Sequence, residues 1–270
     1  MQEVCKWFSH SKSGFYKHLK VAEKRQKQEE MTLYYLREIR RSGIMCGARK
    51  MQIYLEKFFD FRIGRDRLFE IMDKYNLQCR YYKQGTVTST GRKSNFPNLL
   101  ENLRVYYFGQ VIASDITYIH LPGNRFCYAT IISDLHTRMI LGHYVSENLM
   151  LEGSMKALRM VLKRYQLPSG AIHHSDHGVQ YTSKEYTNHL KLNGISISMT
   201  GRGKCYDNAQ AERIFNTLKH EYGFKMTFNN IKEVRSELNI FVNNYNNVRI
   251  HESLDYKTPR EVYELSKKVA

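Results

Sequence analysis

Three acidic residues, far apart in the sequence, have the types and local settings that phosphoryl-transfer chemistry requires. Asp115 lies inside a run of mostly apolar residues that predicts a buried strand, Asp176 follows a second apolar run, and Glu212 lies in a predicted helix. A lone acid inside a buried strand is costly unless it is paired or binds a metal ion. If these residues form a metal site, their three carboxylates offer the oxygen ligands that Mg²⁺ prefers.

The helix that contains Glu212 is predicted to carry further polar groups beside it. Asp207 is a candidate N-cap with Gln210 as its capping-box partner, and apolar residues follow at helical spacing. At about 100° per residue, Asn208, Glu212 and Lys219 fall within roughly 40° of one another. One helix face therefore combines an amide, a carboxylate and an amine.

The spacing of these residues and the segments around them resemble one protein family. Asp115 and Asp176 are separated by 60 residues, Asp176 and Glu212 by 35, and Lys219 lies seven positions beyond Glu212. The segments SDITYI, HHSDHGVQYTS, RGKCYDNAQAERIFNTLKHE and YNNVRIHESLDYKTP resemble the signature blocks of bacterial insertion-sequence transposases of the OrfB type, the IS-three family. The resemblance runs from about residue 95 to residue 263 and is weaker before it.

This resemblance implies a DDE transposase whose catalytic core is shared with retroviral integrases. Asp115, Asp176 and Glu212 would then be both the catalytic and the metal-binding residues, and the expected cofactor is Mg²⁺ or Mn²⁺, with two ions in each active site. Our hypothesis is that Asp115 bridges the two ions while Asp176 and Glu212 each complete one. The expected reactions are cleavage at the ends of the insertion sequence and strand transfer, which together give DNA transposition and integration.

The expected macromolecular partner is DNA, both as inverted-repeat ends and as target. Because two ends must be held together, we expect a homodimer or a larger assembly on DNA, and the resemblance adds the upstream-frame product, or a frameshift fusion with it, as a partner. Residues expected to contact DNA are Lys219, Asn208, Arg249, Arg65, Arg67 and Lys74. The alternatives are an ordinary surface lysine for Lys219, a helix cap for Asn208 and a core-bracing role for the segment around Arg249.

Composition favours the same class of partner. The 270 residues carry a net charge of +16, and residues 1–100 hold 21 Lys and Arg against 10 Asp and Glu, so the first third suits a polyanion. A merely basic soluble protein is the alternative. The five cysteines form no CxxC pair, which predicts neither a disulfide framework nor a cysteine zinc site. With no long apolar run and no signal-peptide pattern, we expect a cytoplasmic, nucleoid-associated protein without membrane contact.

The order of predicted elements indicates an α/β protein preceded by an all-α region. From residue 109 onward the order of strands and helices is the one expected of an RNase H-like integrase core, a mixed five-stranded sheet with flanking helices. The predicted domains are an N-terminal helical, helix-turn-helix-like DNA-binding region (1–77), a basic linker (78–108), the catalytic core (109–224) and a C-terminal helical extension (225–270). In the first, a short basic helix at 11–20 is predicted separately from a charged helix at 23–42.

Several alternatives stay open from the sequence. A metal-dependent nuclease of the same fold would cut DNA without joining it, and a non-catalytic DNA-binding regulator would need no acid triad. Asp134, which also follows a strand, competes for a metal-ligand position. His173, His174 and His177 beside Asp176 suggest zinc, but no matching Cys or distant His pair completes such a site, so we interpret them as core or DNA-facing residues.

Overall fold

In the computed structural model, the chain divides into two compact units, Met1–Cys79 and Arg80–Ala270. The structure describes residues 11–79, 96–200 and 209–268. The division falls within the segment that the sequence predicts to be a linker. Asp207 and Asn208 lie outside the described residues, so their predicted roles stay predictions.

The first unit contains three described helices, α1 (Lys12–Arg41), α2 (Ala48–Phe59) and α3 (Arg65–Lys74). The prediction of two separate helices at 11–20 and 23–42 is wrong, because α1 is one continuous helix of 30 residues. Its sequence has no proline and no glycine after Gly14, and it is rich in Lys, Arg, Glu and Gln, which favour helix. The Ser11 side chain caps it by accepting a hydrogen bond from the Gly14 amide at 2.9 Å.

The second unit is organised around one mixed sheet of five strands. The strands are β1 (Val111–Leu121), β2 (Arg125–Asp134), β3 (Ile140–Ser146), β4 (Ile172–Ser175) and β5 (Ser196–Met199), and their order across the sheet is β3-β2-β1-β4-β5. The first three are antiparallel neighbours joined by short turns, whereas β4 and β5 run parallel to β1. The predicted mixed five-stranded sheet is therefore confirmed.

Helices cover both faces of this sheet. They are α4 (Leu151–Arg164), α5 (Val179–Thr182), α6 (Lys184–Leu192), α7 (Ala209–Glu221), α8 (Ile231–Asn247) and α9 (Pro259–Lys267), with a 3-10 turn at Glu252–Leu254. One core cluster includes residues of α4 and α6, and a second includes residues of α7 and α8. Helix α4 approaches β3 closely because Gly142 has no side chain: a Cβ there would lie 2.4 Å from the Ala157 carbonyl oxygen. None of the described helices is long and apolar enough to cross a membrane.

Candidate active site

Asp115 occupies the middle of β1, on the sheet face that α7 covers. Its partner in the β1–β2 register is Ile131, and directly opposed residues of an antiparallel pair share a face. Ile131 belongs to the core cluster that also contains Ile214 and Leu218 of α7. The Asp115 side chain therefore lies on the α7 side of the sheet, half-buried among apolar neighbours.

Asp176 follows β4 directly and lies at the level of Asp115. The parallel register between β1 and β4 ends with the pair of Ala113 and His174, and two further steps along both strands set Asp176 beside Asp115. Neighbouring strands are about 4.8 Å apart, so the two acids come from adjacent positions of the sheet. The Asp176 carboxylate accepts a hydrogen bond from the Gly178 amide at 2.9 Å, which holds it in a tight Asx turn.

Gly178 leaves the space that the Asp176 carboxylate occupies. A Cβ at this position would lie 2.9 Å from Asp176 Oδ1 and 2.8 Å from Gln180 Oε1. We predict that Gly178→Ala displaces the carboxylate and lowers the DNA-cleavage rate by up to about 10²-fold, the cost typical of a 1 Å misplacement. Gly64→Ala is the matched control, because Gly64 has nearly the same backbone angles and open space around it. Equal rates for the two variants, measured at equal folded fraction by circular dichroism, would refute the prediction.

Glu212 lies in the first turn of α7, whose apolar side packs on the sheet. The buried residues Ile214, Phe215 and Leu218 attach this helix to the core, and Glu212 on its other side is exposed. The buried Gln210 amide donates a hydrogen bond to the Asp134 carbonyl at 2.8 Å and so ties the start of α7 to the end of β2. Among the three acids, packing constrains Glu212 least.

The three carboxylates are electrostatically coupled. Burial, and next the negative charges of Asp176 and Glu212, raise the pKa of Asp115 to about 7, while the charge of Lys219 and the Ile116 amide act in the opposite direction. Within the described residues, no three His, Cys, Asp or Glu side chains are grouped closely enough to hold a metal ion as they stand. Asp176 and Glu212, on two other elements, thus place negative potential at Asp115. The three carboxylates are not close enough together to form a metal-ligand set as they stand.

Lys219 lies near the same acids, on the last turn of α7. Its ammonium group is 5.1 Å from the centre of the Tyr118 ring, a cation–π contact that orients the side chain along β1. Burial lowers the pKa of Lys219, and the charge of Asp115 opposes this shift. The amine and the carboxylates of Asp115 and Glu212 therefore share one region, as the helix-face prediction requires of Glu212 and Lys219.

Asp134, the competing acid, faces the other way. Its partner on β1 is Ile112, which is three residues from Asp115 and belongs to the opposite core cluster. The carboxylate accepts hydrogen bonds from the Gly109 amide at 2.9 Å and from the Thr137 amide and hydroxyl, both at 2.7 Å. These contacts give Asp134 a structural role at the end of β2.

Of the histidines around Asp176, His173 and His174 are buried in the core and His177 is half-buried. His173 Nε2 contacts the Tyr186 hydroxyl at 3.0 Å, and burial lowers the pKa of His173 to about 3, so the ring is neutral at neutral pH. His174 Nδ1 lies 2.8 Å from Ser198 Oγ, and His177 Nε2 lies 2.7 Å from the Thr200 carbonyl oxygen. Their separate partners favour the core interpretation over a shared zinc ion.

Arg249 is buried, and its position favours the core-bracing alternative over a phosphate contact. The guanidinium Nη2 lies 2.7 Å from Glu221 Oε1, and the two side chains are only 7% and 16% exposed. Glu221 ends α7 and Arg249 follows α8, so this ion pair joins the two helices that pack behind the acids.

Three cations of α3, Arg65, Arg67 and Lys74, are predicted to contact DNA. In the structure each forms an ion pair with a neighbouring acid. Arg65 pairs with Asp66 at 2.7 Å. Arg67 and Lys74 both pair with Glu29 of α1, at 2.7 and 2.6 Å, and Arg67 also pairs with Glu70. Arg67 and Lys74 therefore stabilise the packing of α3 against α1, whereas the Arg65 pair lies within α3.

Two residues that shape the site were not recognised as such from the sequence. Gly178 lies in the block HHSDHGVQYTS, and its position two residues after an acid is a recognisable signal for an Asx turn. The sequence predicts Gln210 as the capping-box partner of Asp207, which lies outside the described residues, but it does not predict that the Gln210 amide donates to the Asp134 carbonyl across 76 positions of sequence. No local pattern predicts a contact of that range.

Comparisons with known proteins place this chain beside integrase-core and transposase sequences. Residues 108–205 and 193–259 each match a family described as the integrase core domain. The insertion element IS600 uncharacterized 31 kDa protein of Shigella sonnei is 31% identical over 272 residues, covering 96% of this chain and 98% of that protein. The putative transposase InsK for insertion sequence element IS150 of Escherichia coli K12 is 26% identical, covering 93% and 88%. The catalytic core domain of BIV integrase has a TM-score of 0.45 at 17% identity, over 60% of this chain and 97% of that one.

The order of the five strands and the family matches define the second unit, which we call the catalytic unit from here on, as an integrase core with the RNase H-like fold, as predicted. The chain belongs to the bacterial insertion-sequence transposases.

Proposed function

We propose that this chain is the DDE transposase of an insertion sequence and catalyses metal-dependent cleavage at the element's ends followed by strand transfer. The observation that carries the proposal is the placement of three acids: the parallel register sets Asp176 level with Asp115, and the helix that carries Glu212 packs on the sheet face to which Asp115 belongs. Their order and spacing match the sequence blocks of this family.

The chemistry of these donors fits a divalent cation. Three carboxylates offer the oxygen ligands that Mg²⁺ or Mn²⁺ prefers, and the raised pKa of Asp115 reflects a concentration of negative charge that a cation would relieve. When bound, two such ions would activate the attacking oxygen and stabilise charge on the attacking and leaving oxygens. Asp115, Asp176 and Glu212 are the residues that would hold them.

The other residues of the site act on the DNA. Lys219, oriented by the Tyr118 ring, presents a cation beside the acids and would contact a phosphate of the element's end.

In the first step the oxygen of water bonds to phosphorus and the 3′ oxygen leaves with a proton as a 3′-OH. In the second step this hydroxyl bonds to another phosphorus and displaces a second 3′ oxygen. Both steps proceed without a covalent link to the protein.

The partners follow from the reaction. The substrate is DNA, as element ends and as target, which suits the net charge of +16. Two ends must be present together for joining, so the active form is a homodimer or a larger assembly on DNA. Fusion to an upstream-frame product belongs to the same proposal.

The experiment that tests the function uses a labelled duplex carrying the element's end. The full chain is incubated with it in Mg²⁺ or in EDTA, and nicked and joined strands are separated on a denaturing gel. We expect joined product in Mg²⁺ and none in EDTA. Nicking without joining would support the nuclease instead, and binding without either product would support the regulator.

A further inference from the structure

The N-terminal half of α1 is a helical surface exposed to solvent along its length. All residues of 12–28 are exposed except Phe15, which is half-buried. The residues of α1 that are buried, Thr32, Leu36 and Ile39, lie nearer its C-terminal end. At 1.5 Å per residue, the exposed part extends for about 25 Å. Its surface is therefore available to a partner.

This exposed half is strongly basic. Within residues 12–28, six cations face a single acid, Glu23; the cations are Lys12, Lys17, Lys20, Lys24, Arg25 and Lys27. In the part of the chain that the structure describes, these six side chains form no ion pair. Four of them, which we call the lysine stripe, share one side because they follow one another at helical intervals of three or four residues: Lys17, Lys20, Lys24 and Lys27. At 100° per residue they lie within an arc of about 80° and span about 15 Å.

The lysine stripe differs from the cations of α3. Arg65, Arg67 and Lys74 are neutralised by Asp66, Glu70 and Glu29, so little of their charge remains for an external anion. Across the described part of the first unit, residues 12–28 carry six cations and one acid, a net +5, whereas residues 29–79 carry ten cations and eight acids, a net +2.

We propose that the lysine stripe binds the phosphate backbone of duplex DNA. The inference rests on the proposed function and deepens it by naming a DNA-contacting surface outside the catalytic unit. Duplex DNA carries one negative charge per about 1.7 Å of axis, and its major groove, about 12 Å wide, admits a helix. Lysines at 4.5 to 6 Å intervals along an exposed helix are complementary in charge to such a polyanion.

A second copy of the chain fits this helix less well. On the side opposite the lysine stripe, Phe15, Leu19 and Ala22 follow heptad spacing, but the next position of the series is Gln26. A coiled-coil seam requires apolar residues sustained over several heptads.

The test measures the salt dependence of binding for the full chain. The probe is a fluorescein-labelled duplex of about 30 base pairs of mixed sequence, in EDTA, because phosphate contacts do not depend on sequence or on the active site. In the test variant all four stripe lysines become Gln, a good helix former. We expect the slope of log K against log salt to fall in magnitude by about 3 to 4 and the affinity at about 0.1 M salt to fall at least about tenfold.

A matched control removes the same charge elsewhere. It replaces four exposed lysines of the catalytic unit, Lys163, Lys184, Lys191 and Lys232, with Gln. We expect a markedly smaller change in slope, and replacement of the four stripe lysines with Arg should preserve the slope of the unchanged protein. Circular dichroism verifies that each variant is folded.

The outcomes separate this inference from the proposed function. If the unchanged protein fails to bind duplex DNA, both fall together. If it binds and the stripe variant keeps the same slope, or if the control loses as much slope as the stripe variant, the inference alone is overturned. A change in sedimentation of the DNA-free protein, with the slope unaltered, would assign the stripe to contact between copies and would also overturn it.

Discussion

Replacing Asp115 with Asn is expected to lower the rates of DNA cleavage and strand transfer by at least about 10³-fold while leaving DNA binding intact. The carboxylate lies on β1 near two other acids. Under the proposed function it is a metal ligand, and its loss would remove several kcal/mol of transition-state stabilisation, at 1.36 kcal/mol per factor of ten. The measurement is single-turnover cleavage and joining of the end duplex at saturating Mg²⁺. Retention of activity would remove Asp115 from the site.

Asp134→Asn is the matched control, because it neutralises a buried acid on the neighbouring strand that faces the other side of the sheet. Asn cannot reproduce the three hydrogen bonds that the Asp134 carboxylate accepts, so this variant should lose stability, by about 1 to 3 kcal/mol. Its folded fraction should still cleave and join DNA. The two variants thus separate a chemical from a structural role, and equal loss of activity in both would contradict the assignment.

The pH dependence of folding stability tests the environment of Asp115 independently of catalysis. The folded-state pKa of Asp115 is about 7, above the unfolded value of about 3.9, so the folded protein binds the extra proton between these values. In the metal-free protein this residue therefore makes stability fall as pH rises from about 4 to about 7, by a few kcal/mol at most. Asp115→Asn should remove that fall. A variant less stable than the parent protein at neutral pH without metal would argue against repulsion among the three acids.

The fold of the catalytic unit could largely be predicted because its signals are local. The run of mostly apolar residues around Asp115 predicts the strand that the structure shows there, and the order of elements leads to the mixed sheet. The resemblance then singles out Asp115, Asp176 and Glu212. The register that sets Asp176 level with Asp115 could not be predicted, since it depends on how two strands pair across 60 intervening residues.

Charge alone was a poor guide to which cations are available to DNA. Arg67 and Lys74 lie on exposed helix positions, but both pair with Glu29, a residue about 40 positions away in the sequence. Such ion pairs depend on tertiary packing, which no helical periodicity reveals. By contrast, the basic segment at 11–20 was recognised, but its continuity with the following helix was not.

Breaking the ion pair between Arg249 and Glu221 is expected to have the largest effect on stability. Arg249→Met should lower the free energy of unfolding by about 3 to 5 kcal/mol, because it leaves the carboxylate of Glu221 largely buried without its guanidinium partner. Urea denaturation followed by circular dichroism measures the change. DNA affinity, measured on the folded protein, should stay the same, whereas a phosphate contact by Arg249 would reduce the magnitude of the salt slope by about one.

The double variant decides whether the loss reflects an uncompensated charge or simply lost packing. With Arg249→Met and Glu221→Met combined, neither member of the pair is charged and the apolar side chains can fill the space between the ends of α7 and α8, so much of the lost stability should return. If the double variant instead loses as much free energy of unfolding as the two single variants together, each side chain contributes independently. Recovery would establish that this pair braces the helix that carries Glu212 and Lys219. A residue of the YNNVRIH segment would then support catalysis through the position of α7, without touching DNA.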